Sequence, residues 1–204
     1  MSIPGTEGYA AEADELAVRY ESFGFAETHT GILELLPPAP GRVLDIGAGT
    51  GRDAAGFASL GYQVLAVEPT AAMRGHGQRL HPHPAIDWLD DSLPDLARVL
   101  ARGEIFDIVM LTAVWMHLDA VARTRAMPVV ARLLRPGGVM AMSLRHGPVP
   151  PGRRMFDVST DETIALAGTH GLVPLLVQNN RRGPLQLADV TWSRLALRTS
   201  GDAA

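Results

Sequence analysis

Five short apolar runs, RVLDI, YQVLAVE, AIDWL, IFDIVML and GVMAMSL, are spaced along residues 42–144 with helical patterns between them. Apolar strands of this length that alternate with helices predict a parallel sheet covered by helices on both faces. The intervening helices are expected from about Arg52 to Leu60, from Thr70, and from Asp119 to Leu134, where Pro128 should kink the helix or end its first turns. Upstream, residues 11–36 read as two helical segments broken around Gly24. Leu16, Val18, Phe23, Ile32, Leu33, Leu35 and Leu36 form their inner face, and PPAPG stops them. Downstream, residues 145–154 read as a long loop, and Ser159 with Glu162 opens a capped helix that ends at Gly171. The tail holds two more strand candidates, residues 172–178 and 190–198. Their link is too short for a crossover helix, so an antiparallel hairpin is expected. A chain of 204 residues suits one domain, with residues 1–40 as a helical cover and 41–204 as the body.

The composition removes several kinds of chemistry. There is no cysteine, which excludes disulfides, thiolate nucleophiles and Cys-ligated metals. All 18 cationic residues are Arg, so neither a lysine base, a Schiff base nor a phosphate loop ending in Lys-Ser/Thr is available. A net charge of −4 offers no basic field for nucleic acid. The acidic start lacks the order of a secretory signal, and no apolar run reaches the roughly 18 residues of a membrane span. A cytoplasmic protein is expected, with no membrane partner and with homodimerisation left open.

Residues 43–55, VLDIGAGTGRDAA, join the first strand to its helix through a glycine-rich turn. Ligands of open parallel sheets bind outside the carboxyl ends of the strands, and Gly47, Gly49 and Gly51 would let one lie against the backbone. The stretch from Gly49 to Ala54 also matches the G-x-G-x-x-A pattern of dinucleotide-binding oxidoreductases, with Glu68 at a suitable distance. Asp45 argues against that reading, because a carboxylate beside the turn gains nothing from a pyrophosphate. An ammonium group would gain a charge-assisted hydrogen bond there. S-adenosyl-L-methionine carries that ammonium and a ribose but no phosphate. Asp45 suits its methionine end, and Glu68, which closes the second strand, suits the ribose hydroxyls.

With these residues in view, the chain resembles class I S-adenosylmethionine-dependent methyltransferases from about Gly41 to Leu144. VLDIGAGTG resembles the family's first motif and VLAVEPTAAM the second. IDWLDDSLP is similar to the third, FDIVMLTAVWMHL to the fourth-strand motif, and LLRPGGVMAMSL to the turn and strand after it. The resemblance implies a Rossmann-like, doubly wound sheet of seven mostly parallel strands with a reversed last strand and helices on both faces. It implies a cofactor site of Asp45, Gly47, Ala48, Gly49, Gly51, Glu68 and Pro69, with either Asp90 or Asp91 at the adenine and Thr112 beside the cofactor. The product would be S-adenosyl-L-homocysteine.

Methyl transfer asks a protein to align nucleophile and methyl, exclude water and take a proton where the acceptor carries one. His117 is the candidate base, since imidazole titrates near neutrality, though a structural role near the site competes with it. Trp115, Arg145, His146 and Arg154 are candidate acceptor contacts; burial of Trp115 and solvation of Arg145 and Arg154 are the plainer expectations. Tyr20 could close the cover over the methionine end. Residues 81–84, HPHP, lack the acidic partners of a metal set, so no metal is expected. The expected activity is methylation of an oxygen or nitrogen of a small molecule. A nicotinamide-dependent oxidoreductase and a non-catalytic cofactor-binding protein are the alternatives.

Overall fold

A computed structural model describes residues 3–200. Seven strands form one sheet: β1 Arg42–Ile46, β2 Gln63–Val67, β3 Ile86–Leu89, β4 Phe106–Thr112, β5 Leu134–His146, β6 Leu172–Arg181 and β7 Thr191–Thr199. Their order is β3-β2-β1-β4-β5-β7-β6, and β7 alone runs against its neighbours β5 and β6. This is the reversed last strand and tail hairpin expected above. The order reverses between β1 and β4, which places the switch point at the carboxyl ends of those two strands.

Strand alternation sorts the core into two layers. Leu44, Ile46, Val109, Leu111, Met140 and Met142 point to one face, under helix α6 at Ala120–Arg132 and helix α7 at Thr160–Gly168. Val43, Ile108, Met110 and Ala141 point to the other, under helix α3 at Arg52–Ser59. Asp45 is two residues from Val43, and Thr112 two from Met110. Both therefore lie on the α3 face, where the chain has polar groups for them.

The connections differ from expectation in instructive ways. The cover is mostly irregular: α1 spans Ala13–Tyr20, α2 only Phe25–Thr28, and Leu33–Leu35 is a single 3-10 turn. Gly31 at φ +80° ends the second segment early, and Val18, assigned to the inner face, is 76% exposed while Leu16 and Ile32 are buried. Helix α4, Ala71–Leu80, follows Thr70 as expected, and a short helix α5 at Ala97–Ala101 was not foreseen. It is held by Asp91, whose Oδ2 accepts from the backbone N–H groups of Arg98 and Val99. Helix α6 runs without interruption through Pro128. Ser159 caps α7 by accepting from Glu162 N–H at 3.0 Å, but the Glu162 carboxylate turns away to Arg123. Strand β5 extends to His146, so Arg145 and His146 are strand residues, not loop residues.

Candidate functional site

A cavity of about 360 Å³ lies at the carboxyl ends of the central strands, between the sheet edge and the N-terminal cover. The glycine turn forms one wall. Gly47 and Gly49 adopt φ of +70° and +58°, a region costly for residues with a Cβ. A Cβ on Gly47 would stand 2.5 Å from Val114, so backbone conformation and space both demand glycine there. Gly51, also left-handed, instead packs against the Trp88 ring and does not line the cavity.

Three carboxylates converge on this wall. Asp45 is 1% exposed, and its Oδ2 is buried without a hydrogen-bond partner. Burial pushes its pKa well above the ordinary carboxylate range; the neighbouring Asp53 and Glu68 charges add to this, while Arg52 and the Ala54 N–H oppose it. Glu68 accepts from Gly49 N–H at 2.9 Å and from Thr70 N–H at 2.8 Å. These bonds fix its orientation and partly offset the burial that raises its pKa. Of the roughly four lone-pair sites on a carboxylate, two are used, which leaves capacity toward the cavity.

Asp53, in the first turn of α3, is the polar hub that the sequence reading missed. Its Oδ1 accepts from Arg52 at 2.7 and 2.9 Å, and its Oδ2 accepts from His29 Nε2 and from the Thr112 hydroxyl, both at 2.8 Å. Burial alone would raise its pKa, yet His29 and Arg52 hold it well below the usual range. Asp53 thus stays charged and fully bonded while Asp45 beside it is left with a free oxygen. Arg52 also stacks its guanidinium 4.5 Å from the Phe23 ring and donates to the Tyr20 carbonyl, which ties the cover to α3.

The cover brings Tyr9 to His117 across 108 residues of sequence. His117 sits in a 3-10 turn, Trp115–His117, after β4. Its Nδ1–H donates to the Arg154 carbonyl at 2.8 Å, the only role open to a ring nitrogen facing a carbonyl. Nε2 of the neutral ring therefore accepts from the Tyr9 hydroxyl at 3.0 Å. Burial lowers the His117 pKa against the pull of the Arg154 carbonyl, and burial raises that of Tyr9. Arg153 lies 4.4 Å from the Tyr9 ring and pairs with Glu12 at 2.7 Å, which locks Tyr9 in place.

Of the residues singled out from the sequence, Tyr20, Asp45, Gly47, Ala48, Gly49, Glu68, Pro69, Asp91, Thr112, His117 and Arg145 line this cavity. The others stand elsewhere. Asp90 faces Arg74 at 3.4 Å, whereas Asp91 and Ser92 reach the wall, so the two aspartates left open by the sequence are not equivalent. Trp115 is fully buried in the apolar layer beneath α6 and offers no acceptor contact. His146 is one residue beyond Arg145 on the same strand, so it points to the opposite face, where it bonds Ser193 at 2.8 Å. The Arg154 guanidinium turns to Asp119 at 3.1 Å; only its carbonyl serves His117. In the HPHP run, His81 bonds Glu21 at 3.1 Å and His83 accepts from Ala85 N–H. Among the described residues no group of three or more His, Asp or Glu is placed to hold a metal ion, and no helix is long and apolar enough to cross a membrane.

The residues fit a zwitterionic sulfonium nucleoside: an orphaned buried carboxylate oxygen for a cation, a braced carboxylate for a diol, and backbone close enough to lie along. Comparisons with known proteins agree. The profile of the family described as "Methyltransferase domain" matches residues 44–142. An uncharacterized methyltransferase of Mycobacterium tuberculosis is 35% identical over 115 residues, which is 53% of this chain and 41% of that protein. The chain thus matches well under half the length of its curated relatives. Among solved structures, the Burkholderia thailandensis 1,6-didemethyltoxoflavin-N1-methyltransferase, bound to 1,6-didemethyltoxoflavin and S-adenosylhomocysteine, superposes with a TM-score of 0.69. It is 21% identical, and the match covers 98% of this chain and 92% of that one. The N-methyltransferase NodS of Bradyrhizobium japonicum superposes at 0.66, with 17% identity and coverage of 92% and 98%. Motifs, sheet order, carboxylate site and family profile converge: residues 44–142 match the methyltransferase-domain family, within a fold shared with S-adenosylmethionine-dependent methyltransferases.

Proposed function

We propose that this protein transfers a methyl group from S-adenosylmethionine to an oxygen or nitrogen of a small molecule that enters beneath the N-terminal cover. The observation that carries this reading is Asp45: a residue of the cavity wall whose carboxyl is buried with one oxygen unpartnered, a group that a cationic ligand would both satisfy and hold ionised. A dinucleotide would bring phosphate charge to the same wall, which already holds Asp45, Asp53 and Glu68.

Asp45 would hold the ammonium, Glu68 the ribose hydroxyls, the Gly47–Gly49 backbone the chain of the ligand, and Asp91 with Ser92 the adenine side. Bound S-adenosylmethionine supplies a methyl group activated by its sulfonium. Thr112 donates its hydroxyl to Asp53, so that proton is already committed. Tyr9 and His117 handle the proton. His117 is neutral at pH 7 and holds the Tyr9 proton in a hydrogen bond, so the Tyr9 oxygen can take a proton from the acceptor as its own passes to His117 Nε2.

Calorimetric titration with S-adenosylhomocysteine and with NAD tests the cofactor, and a labelled-methyl transfer screen over metabolite fractions tests the activity. Binding of S-adenosylhomocysteine with no response to NAD, and label in a low-molecular-weight product, is expected. Binding of NAD alone would overturn the reading. Cofactor binding with no labelled product in any fraction would reduce the protein to a cofactor binder.

A further inference from the structure

On the side of the cavity away from the carboxylates, the wall is built by β5 and β7. Their antiparallel register sets Ser143 across from Arg194 and Arg145 across from Trp192, and all four side chains line the cavity. Paired positions in such a ladder share a face, so the two guanidiniums stand on neighbouring strands of one surface, diagonal to each other. Arg194 is only 9% exposed, and among the described residues no carboxylate lies near enough to influence it; the charge that does reach it is Arg181. Arg145 has a single long contact, 3.4 Å to the Gly147 carbonyl. Of the other arginines that line the cavity, Arg52 and Arg153 are matched by Asp53 and Glu12, and Arg19 is exposed to solvent.

A cation withdrawn from water without a counterion is costly; Arg194 is buried and Arg145 partly so, and burial lowers the pKa of both. Two such groups facing a shared cavity are stabilised by an anion that bridges them. Guanidiniums bind carboxylate and phosphate through paired hydrogen bonds. Around them the wall is apolar: Trp192, Met155, Leu185 and Leu187.

We infer that Arg145 and Arg194 form an anion subsite, and that the methyl acceptor is a small organic acid with a carboxylate or phosphate on an apolar body. This rests on the methyl-transfer reading above and narrows its acceptor. It also explains how an acidic chain would recruit an acidic acceptor: the attractive charge is confined to one end of the cavity. In the acceptor's bound orientation the acid group lies against β5 and β7, which turns the rest of the molecule toward Tyr9 and the cofactor side.

The test titrates benzoate, phenyl phosphate and the neutral match benzamide into the full chain saturated with S-adenosylhomocysteine. At least one anion should bind about tenfold or more tightly than benzamide, and the better of the two identifies the acid group. Arg194→Gln and Arg145→Gln should each weaken that anion by about ten- to a hundredfold, the scale of a hydrogen bond to a charged group. Both should keep the affinity for S-adenosylhomocysteine. Arg145 is the more exposed of the two, so R145Q reports even where R194Q fails to fold. Benzamide binding as tightly as the anions, no anion binding by the cofactor-saturated chain, or anion binding indifferent to both substitutions would overturn the inference. Failure of the wild-type chain to bind S-adenosylhomocysteine would instead overturn the reading beneath it.

Discussion

Replacing Asp45 with Asn removes a charge while keeping the side chain's volume, and the structure predicts opposite effects on folding and on binding. The wild-type carboxyl is buried, its Oδ2 has no partner, and its pKa is raised first by burial and then by Asp53 and Glu68. A folded-state pKa above the ordinary 3.8 means that the folded protein binds a proton the unfolded chain releases, so stability falls as pH rises from about that value. Asn carries no such penalty. The ligand-free D45N protein should therefore be more stable than wild type at pH 7 by about 1–3 kcal/mol, the scale of the extra cost of a charged over a neutral group at a buried, unpartnered position. This advantage should shrink as pH falls toward 4. Binding should move the other way. An ammonium meeting this carboxylate forms a hydrogen bond between charged groups worth about 1.5–3 kcal/mol, so the Kd for S-adenosylhomocysteine should rise about ten- to a hundredfold. Because wild-type Asp45 gives up its proton when the cation arrives, wild-type affinity should also climb as pH rises above the ordinary carboxylate range, and that of D45N should stay flat. Urea denaturation and calorimetry at several pH values measure both. A D45N protein that binds as tightly as wild type, or a pH dependence of binding that survives the substitution, would refute the ammonium contact.

Asp53→Ala strands Arg52 and His29 and should cost about 3–5 kcal/mol in urea denaturation at pH 7. The folded-state pKa of Asp53 is depressed, so the wild-type advantage should be constant above pH 5 and narrow as pH falls below about 3.8. Gly47→Ala meets both a φ of +70° and a contact at 2.5 Å with Val114, a loss of about 2–4 kcal/mol, and adding Val114→Ala should recover the steric part in the same assay. His117 has a folded-state pKa below 6.5, so the unfolded chain takes up a proton that the folded one refuses and stability is lost as pH drops through that value. In thermal melts, His117→Asn should lose less Tm between pH 7.5 and 5.5 than wild type does.

What could be read from the sequence was whatever lies contiguous in it. Asp45, the three glycines and Glu68 sit within two strand-to-helix turns, where backbone geometry and residue chemistry constrain each other locally. A parallel sheet followed from the alternation of strands and helices, the tail hairpin from the short link between residues 178 and 190, and the reversed last strand from the family resemblance. The hidden part depends on which element packs on which. Asp53 is in the same turn as the glycines, but its meaning comes from His29, delivered by a four-residue helix with no periodicity to announce it. Tyr9 and His117 meet only because the cover folds back over β4. His146 and Arg145 were grouped because they are adjacent in sequence. Extending β5 by two residues separates them onto opposite faces.

The same alternation accounts for the electrical character of the cavity. On the α3 face, the positions nearest the carboxyl ends of the strands are Asp45 in β1, Thr112 in β4, and Ser143 and Arg145 in β5, with Trp192 and Arg194 at the start of the reversed β7. Each continues a parity that is apolar further along: Val43, Met110, Ala141 and Ala196. The core therefore turns polar one pleat before the strands end, and strand order decides where each charge falls. Asp45, Glu68 and Asp91 come from the β1-β2-β3 half and the Arg145 and Arg194 guanidiniums from the β5-β7 half, with neutral Thr112 and the Tyr9–His117 pair between. A cavity polarised in this way favours a cation at one end and an anion at the other. If a cationic cofactor and an acidic acceptor are its occupants, exchanging the charge at either end should abolish one partner's binding and spare the other's. Arg145→Glu is the sharper half of that pair of tests: it should repel benzoate and phenyl phosphate while leaving S-adenosylhomocysteine bound, and loss of both ligands from a folded variant would show that the two ends do not act separately.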